Sequence, residues 1–208
     1  MYYHIRVDSK DRLTMNTDTI ISIIKEKGTI SAADLKGTGI SRTTLHYMAN
    51  RGLIRRVARG IYTLTDYYPA LEPFAEVMTS APQSVICLLS ALQFHEITTQ
   101  MPFEIWVAIE RNASKPKVPN VRIVRLTGAA FSEGIQIHSK EGLTARVYCP
   151  AKTVVDCFKF RNKIGIDVAR EALVDCLNQK KATRDEIWRY AKICHMSNIM
   201  RPYLEMAQ

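Results

Sequence analysis

Between Ser41 and Gly60 the chain carries Arg42, Arg51, Arg55, Arg56 and Arg59 and not one acidic residue. Guanidinium groups at that density suit an anionic polymer, because each can grip a phosphate, or the edge of guanine, through paired N–H donors. On a helical wheel, Ser41 to Arg51 gathers Leu45, Met48 and Ala49 on one side, with Thr43, His46, Tyr47 and Asn50 on the other and Arg42 and Thr44 flanking. One face packs and the other is free to read a groove. A small helical module with a basic hairpin that binds only protein is the competing reading, since a fold does not fix a function.

Other residues invite chemistry less strongly. Lys152 and Asp156 lie one turn apart, which fits an acid–base pair and equally an ordinary i, i+4 ion pair. His95, at the end of an apolar segment, fits a general base or a capping histidine, and no nucleophile motif accompanies it. Tyr67 and Tyr68 suit either base stacking or packing of a linker against a domain. Glu104 and Glu110 in FEIWVAIE suggest a nuclease strand, yet no second acidic cluster follows that would hold a catalytic magnesium.

The elements that would position these residues are legible in order. Thr17 to Lys27 sets Ile20, Ile23 and Ile24 on one stripe, and Gly28 closes that helix. Ser31 and Asp34 have capping-box spacing, which predicts a second helix from about Ala32, followed by a turn at Lys36-Gly37-Thr38-Gly39. Ser41 caps the third helix and Gly52 ends it. LIRRV and IYTL then predict two strands joined at Ala58-Arg59-Gly60. Helix, turn, helix and basic hairpin together spell a winged helix-turn-helix. Residues Met1 to Met15 are polar and read as an arm, a short strand or the product of an upstream start.

Thr65 to Pro69 marks the expected boundary between a winged domain at 1–68 and a second domain at 69–208. In the second, Leu71 to Thr79 and the stretch around LLSALQFHEI predict helices. Phe103–Glu110, Val121–Leu126, Gly134–His138 and Leu143–Tyr148 predict strands of a small sheet, with SKPKVPN as a solvated hairpin connection. Pro150 opens a helix, and Ile166–Asn178, Thr183–His195 and a piece around Ile199–Met206 predict three more, with a capping box at Thr183 and Glu186. The fold class expected is α+β.

With 208 residues and 47% hydrophobic content the chain can build real cores, and its +9 net charge favours an anionic partner. The charge is denser in the smaller part: Met1 to Tyr68 holds 11 basic residues against 6 acidic, a balance of +5, and the other 140 residues carry +4. No apolar run approaches the ~20 residues of a membrane span, and the N-terminus lacks the apolar core of a signal peptide, so a cytoplasmic protein is expected. Cys87, Cys149, Cys157, Cys176 and Cys194 form no C-x-x-C pair and suit reduced thiols. His4, His46, His95, His138 and His195 lack metal-site spacing, and neither a metal nor a cofactor is expected.

The residues SAADLKGTGISRTTLHYMANRGLIRRVARGIYTL, then SVICLLSALQFHEIT, FEIWVAIE and YCPAKTVVDCFKF, resemble in order and spacing the AbiEi family of antitoxins from bacterial type IV toxin–antitoxin and abortive-infection systems. The family's serine-alanine-leucine segment ending near a histidine falls here on Ser90-Ala91-Leu92 through His95, and its (R/K)-T-(L/V)-(L/V)-D helix on Lys152 to Asp156. That resemblance implies a winged domain that binds operator DNA and represses its own operon. It further implies a C-terminal domain that counters a nucleotidyltransferase-like toxin without a stable direct complex. By the same resemblance, Arg42, Thr43, Thr44, His46 and Tyr47 are the base-reading candidates, and Arg55, Arg56 and Arg59 the wing contacts to phosphates or minor groove. An inverted repeat read by paired copies is expected. A ligand-sensing one-component repressor and a DNA-processing enzyme remain the alternatives, the enzyme being the weaker class.

Overall fold

The computed structural model describes residues 9–98 and 102–206, with side chains from residue 14 onward. It contains two compact units, one of residues up to 79 together with 139–144, the other of 80–138 and residues from 145 on.

The first unit begins with α1 (Ser9–Lys27), which buries Ile20 and Ile24 and stops where the Gly28 amide bonds back to the Ile24 carbonyl (2.7 Å) at a φ of 90°. Residues 9–15, read from the sequence as lying ahead of the helix, are part of it, while residues 1–8 of that stretch fall outside the described residues. No glycine or proline separates Ser9 from the buried isoleucines, so a helix nucleated on them extends outward.

Next comes β1 (Ile30–Ser31), and here the expected second helix is replaced by a run of tight turns over residues 32–39. Backbone bonds of the i to i+3 kind link Asp34 to Ser31, Lys36 to Ala33 and Thr38 to Leu35. The Ser31 amide and hydroxyl both donate to the Asp34 carboxylate, at 2.8 and 2.7 Å, so the capping residues meet without a helix growing from them. Two constraints leave too little chain for one. Strand pairing of Ile30 with Tyr62 and Ser31 with Ile61 holds the backbone extended to Ser31, and Gly37 and Gly39, at φ of 82° and 72°, break it soon after. Leu35 still reaches the core.

The remaining elements of this unit are α2 (Arg42–Asn50), β2 (Ile54–Ala58), β3 (Ile61–Leu64) and α3 (Glu72–Ser80). Three antiparallel strands in the order β1-β3-β2 cover a core of Ile20, Ile24, Ile30, Leu35, Ile40, Leu45, Met48, Ile54 and Tyr62. The polar stretch Thr65–Pro69 lies inside this unit, ahead of α3. Residues 139–144 add Glu141, whose backbone carbonyl accepts from Thr29 Oγ1 (2.8 Å) and whose carboxylate accepts from the Ala70 amide (2.7 Å) and the Tyr67 hydroxyl.

Those donors hold the Glu141 carboxyl below its usual range. At Asp34 partial burial alone would raise the pKa, but the Lys27 ammonium and the Ser31 donors outweigh it and the net direction is downward. A depressed carboxyl binds fewer protons folded than unfolded. Its contribution is therefore present above the ordinary carboxyl range and drains away as the pH falls through about 4. Glu141→Gln is expected to make the melting temperature less pH-dependent between about pH 6 and pH 3. An acid limb as steep as that of the parent chain would remove Glu141 from this account.

In the second unit a five-stranded sheet runs β6-β5-β4-β8-β7, from β4 (Val85–Ile86), β5 (Ile105–Glu110), β6 (Val121–Leu126), β7 (Ile135–Lys140) and β8 (Leu143–Tyr148). β5 and β6 pair in parallel, Ile105 opposite Val121 through Glu110 opposite Leu126, so residues 111–120 are a crossover and not the hairpin connection expected. The Arg125 guanidinium fastens its start, donating to the carbonyls of Arg111 and Ala113 at 2.5 and 2.8 Å.

Helices α4 (Leu88–Phe94), α5 (Ala129–Ser132), α6 (Pro150–Lys159), α7 (Arg161–Ile164), α8 (Ile166–Asn178), α9 (Arg184–Ile193) and α10 (Ser197–Met206) complete the unit. α6 is its centre: every side chain from Ala151 to Phe158 is buried, and Pro150 occupies its first turn, where a missing amide proton costs nothing. α9 starts with the full capping box, Glu186 N–H to Thr183 Oγ1 at 3.2 Å and Thr183 N–H to the Glu186 carboxylate at 2.7 Å. The chain is thus a mixed α+β protein with two sheets. No helix among the described residues is long and apolar enough to cross a membrane.

Candidate nucleic-acid interface

α2 is set by its ends and its stripe. The Ser41 hydroxyl accepts from the Thr43 amide (3.3 Å) and from the Thr43 hydroxyl (2.9 Å), satisfying a free N–H of the first turn. Leu45 and Met48 point into the core, and Thr44 and Ala49 are half-buried beside them. Arg42, Thr43, His46, Tyr47 and Asn50 stand exposed. Arg51, at the C-cap, lays its guanidinium 5.3 Å from the centre of the Tyr47 ring. His46 touches the buried Tyr62, Nδ1 lying 3.3 Å from the hydroxyl and the rings meeting edge to face, which leaves Nε2 outward.

The register of the hairpin separates its two neighbouring arginines. Arg56 sits opposite Tyr62 and Arg55 opposite Thr63. Cross-strand partners share a face of the sheet and successive residues alternate, so Arg56 shares the face on which Tyr62 meets His46 of α2, and Arg55 faces away. There Arg55 is occupied: it pairs with the Glu72 carboxylate, donates to the Tyr67 carbonyl, and rests 4.4 Å over the Tyr68 ring. Glu72 holds the guanidinium's pKa above its ordinary value. Thr63, on that same face, is buried and donates to the Gly28 carbonyl (2.7 Å). Arg56 is exposed, its Nε bonded to the Ala58 carbonyl (3.1 Å) across a bulge between Arg56 and Ala58. Arg59 is exposed at the turn, its backbone amide held by Glu76 (3.2 Å) and Gly60 beside it at a φ of 78°.

Of the eight residues singled out from the sequence, α2 thus presents Arg42, Thr43, His46 and Tyr47 to solvent with Thr44 half-buried, the hairpin adds Arg56 and Arg59, and Arg55 is turned inward. Arg51 belongs with the exposed set. The signal for it was its i, i+4 spacing from Tyr47. Tyr67 and Tyr68 pack against this unit through Glu141 and Arg55.

The other residues with chemical promise lie in the second unit. Lys152 and Asp156 form an ion pair at 2.5 Å with side-chain exposures of 0% and 1%, closed to any substrate. His95 caps α4, Nε2 lying 2.7 Å from the Tyr148 carbonyl, and burial lowers its pKa. Glu104 pairs with Arg122 at 3.5 Å. All five cysteines are free thiols; burial pushes Cys87 and Cys157 well up and Cys176 to about 11. Among the described residues no group of three or more His, Cys, Asp or Glu side chains could hold a metal ion.

An exposed helix face beside a basic hairpin, mounted on a small core, is consistent with a DNA-binding domain. Residues 18–65 match the family described as "Transcriptional regulator, AbiEi antitoxin", a regulatory family and not an enzyme family. No curated protein matches the chain. Among solved structures, the RV2827C protein from Mycobacterium tuberculosis is similar with a TM-score of 0.58 and 12% identity, the match covering 91% of this chain and 77% of that one. At that identity the likeness is one of fold.

Proposed function

We propose that this protein is a DNA-binding antitoxin and transcriptional autorepressor of a type IV toxin–antitoxin operon, countering a nucleotidyltransferase-like toxin without a stable direct complex. Residues 1–68 act as a winged helix-turn-helix in which α2 enters the major groove and the β2–β3 hairpin is the wing. Residues 69–208 carry the antitoxin function, with α3 bracing the wing through Glu72 and Glu76. The carrying observation is that exposed Arg56 lies opposite Tyr62, which in turn contacts His46 of α2, within the span that matches the antitoxin regulator family. Occlusion of its own promoter is the mechanism, and two copies sit on half-sites about one helical turn, ~34 Å, apart.

Binding to a labelled fragment of the protein's own upstream region, against scrambled DNA over a salt series, tests the reading. Specific binding near physiological salt is expected. Equal binding to both fragments would remove autorepression. Arg56→Ala with Arg59→Ala is expected to lower affinity on any duplex and reduce the salt slope by about one to two units. Arg55→Ala is expected to leave that slope unchanged, since its charge is already paired. A slope change for Arg55 as large as for the other pair would place the phosphate track on the opposite face of the hairpin.

A further inference from the structure

In the second unit α9 and α10 enclose an open cleft of 320 Å³ lined by Arg184, Asp185, Trp188, Arg201, Leu204 and Glu205. The volume lies at the lower end of the range for small-molecule sites. Trp188 is half-buried, and the cations of Lys192 and Arg201 each lie 5.8 Å from its ring. Arg184, Trp188 and Lys192 follow at intervals of four along α9 and so form one stripe, with Arg201 contributed by α10. Lys192 and Arg201 thus flank the indole, Arg184 lies one turn away on α9, and Asp185 and Glu205 offset only part of this positive charge.

We propose that this cleft binds a nucleotide unit: the base stacks on Trp188, the phosphate is held by Arg184 and Arg201, and the Asp185 and Glu205 carboxylates accept from the base's N–H edge. Stacking on an aromatic beside arginines is a sequence-tolerant way to hold a base, and two guanidiniums supply the paired donors a phosphate takes. A second cavity of 590 Å³ also borders on Arg184 and adds Lys180, so a chain of more than one nucleotide has a continuation with a cation along it. The site is separate from the α2 surface and does not depend on the operator-binding reading.

Trp188 is its own reporter. The only other tryptophan, Trp106, is buried at 3% exposure. The chain carrying Arg42→Ala and Arg56→Ala, chosen to weaken the proposed duplex site, is titrated with AMP, with GMP, with short single-stranded RNA and DNA oligonucleotides, and with inorganic phosphate. Saturable quenching by the nucleotides or by the oligonucleotides, absent in Trp188→Phe and weakened about tenfold in Arg201→Ala with partial rescue in Arg201→Lys, is expected. Response to mononucleotides identifies a free nucleotide as the ligand, and response to oligonucleotides alone identifies a single strand. No quenching by either at millimolar concentration, or an equal response to phosphate, would overturn the proposal. So would quenching that persists in Trp188→Phe.

Discussion

Asp156→Ala is expected to destabilise the second unit by about 3–5 kcal/mol, because it leaves the fully buried Lys152 ammonium in the centre of α6 without its paired carboxylate. Both side chains are fully buried, and the surroundings are tight. Lys152 Nζ lies 4.2 Å over the Tyr148 ring, Cys194 Sγ lies 3.8 Å from the second Asp156 oxygen, and a Cβ on Gly134 would come to 2.9 Å from the Lys152 Cβ. Burial pushes the Asp156 carboxyl up even against its neighbour's pull. Lys152→Ala is expected to cost a similar amount for the mirrored reason. Replacing both with apolar residues of similar volume, Lys152→Met with Asp156→Leu, is expected to recover most of the loss, since paired buried ions gain little over good packing. Tryptophan fluorescence reads the transition of this unit directly, both tryptophans lying in it, and a melting point lower by about 10–20 °C is expected for each single variant. Single variants that melt within two or three degrees of the parent, by that same scale, would show that the pair is not isolated from water.

Arg42→Ala combined with His46→Ala is expected to cut specific operator affinity by roughly 30-fold to 10⁴-fold, two base contacts being worth about 1–3 kcal/mol each. Arg42 opens α2 with an exposed side chain, the end of a recognition helix that meets base edges, and His46 follows one turn later with Nε2 free of Tyr62. Neither side chain belongs to the core, so far-UV circular dichroism should hold, and the melting point should fall modestly because His46→Ala takes away the partner of the buried Tyr62 hydroxyl. Affinity for scrambled DNA should fall much less, mainly through the one lost arginine charge. This separates reading from clamping, because the Arg56 and Arg59 variants are expected to weaken all duplexes alike. Equal losses on operator and scrambled DNA would move base recognition off α2.

Both expectations rest on features legible to different degrees in the chain. α2 with its Ser41 cap, the hairpin strands, β6, β8, the Pro150 helix, α8 and the Thr183 capping box were readable because each is fixed by residues a few positions apart: a cap, a glycine, an apolar stripe. The helix expected after Ser31 was not formed, although its local signals were sound, because pairing of Ile30 and Ser31 with residues thirty positions away took its first turn. The parallel pairing of β5 with β6 was hidden for the same reason. Nothing in SKPKVPN distinguishes a hairpin from a crossover, since the choice is the direction in which β6 joins the edge of β5 left open by β4.

The candidate site divides along the same line. Arg55 and Arg56 are adjacent and chemically identical, and only the register against Thr63 and Tyr62, together with the arrival of Glu72 and Tyr68, turns one inward and leaves the other free. Lys152 and Asp156 had the spacing of any solvated helical pair. Their burial follows from the helices packed around α6. The cleft at Trp188 gave no signal until α10 brought Arg201 alongside α9. By itself the sequence determined α2 with its exposed polar face, the basic hairpin and the α+β class, since hydrophobic period, capping and charge act over a single turn or strand. The tertiary structure alone decided which cations are spent on the fold and which face solvent, because pairing and burial are set by chain segments that only folding brings together.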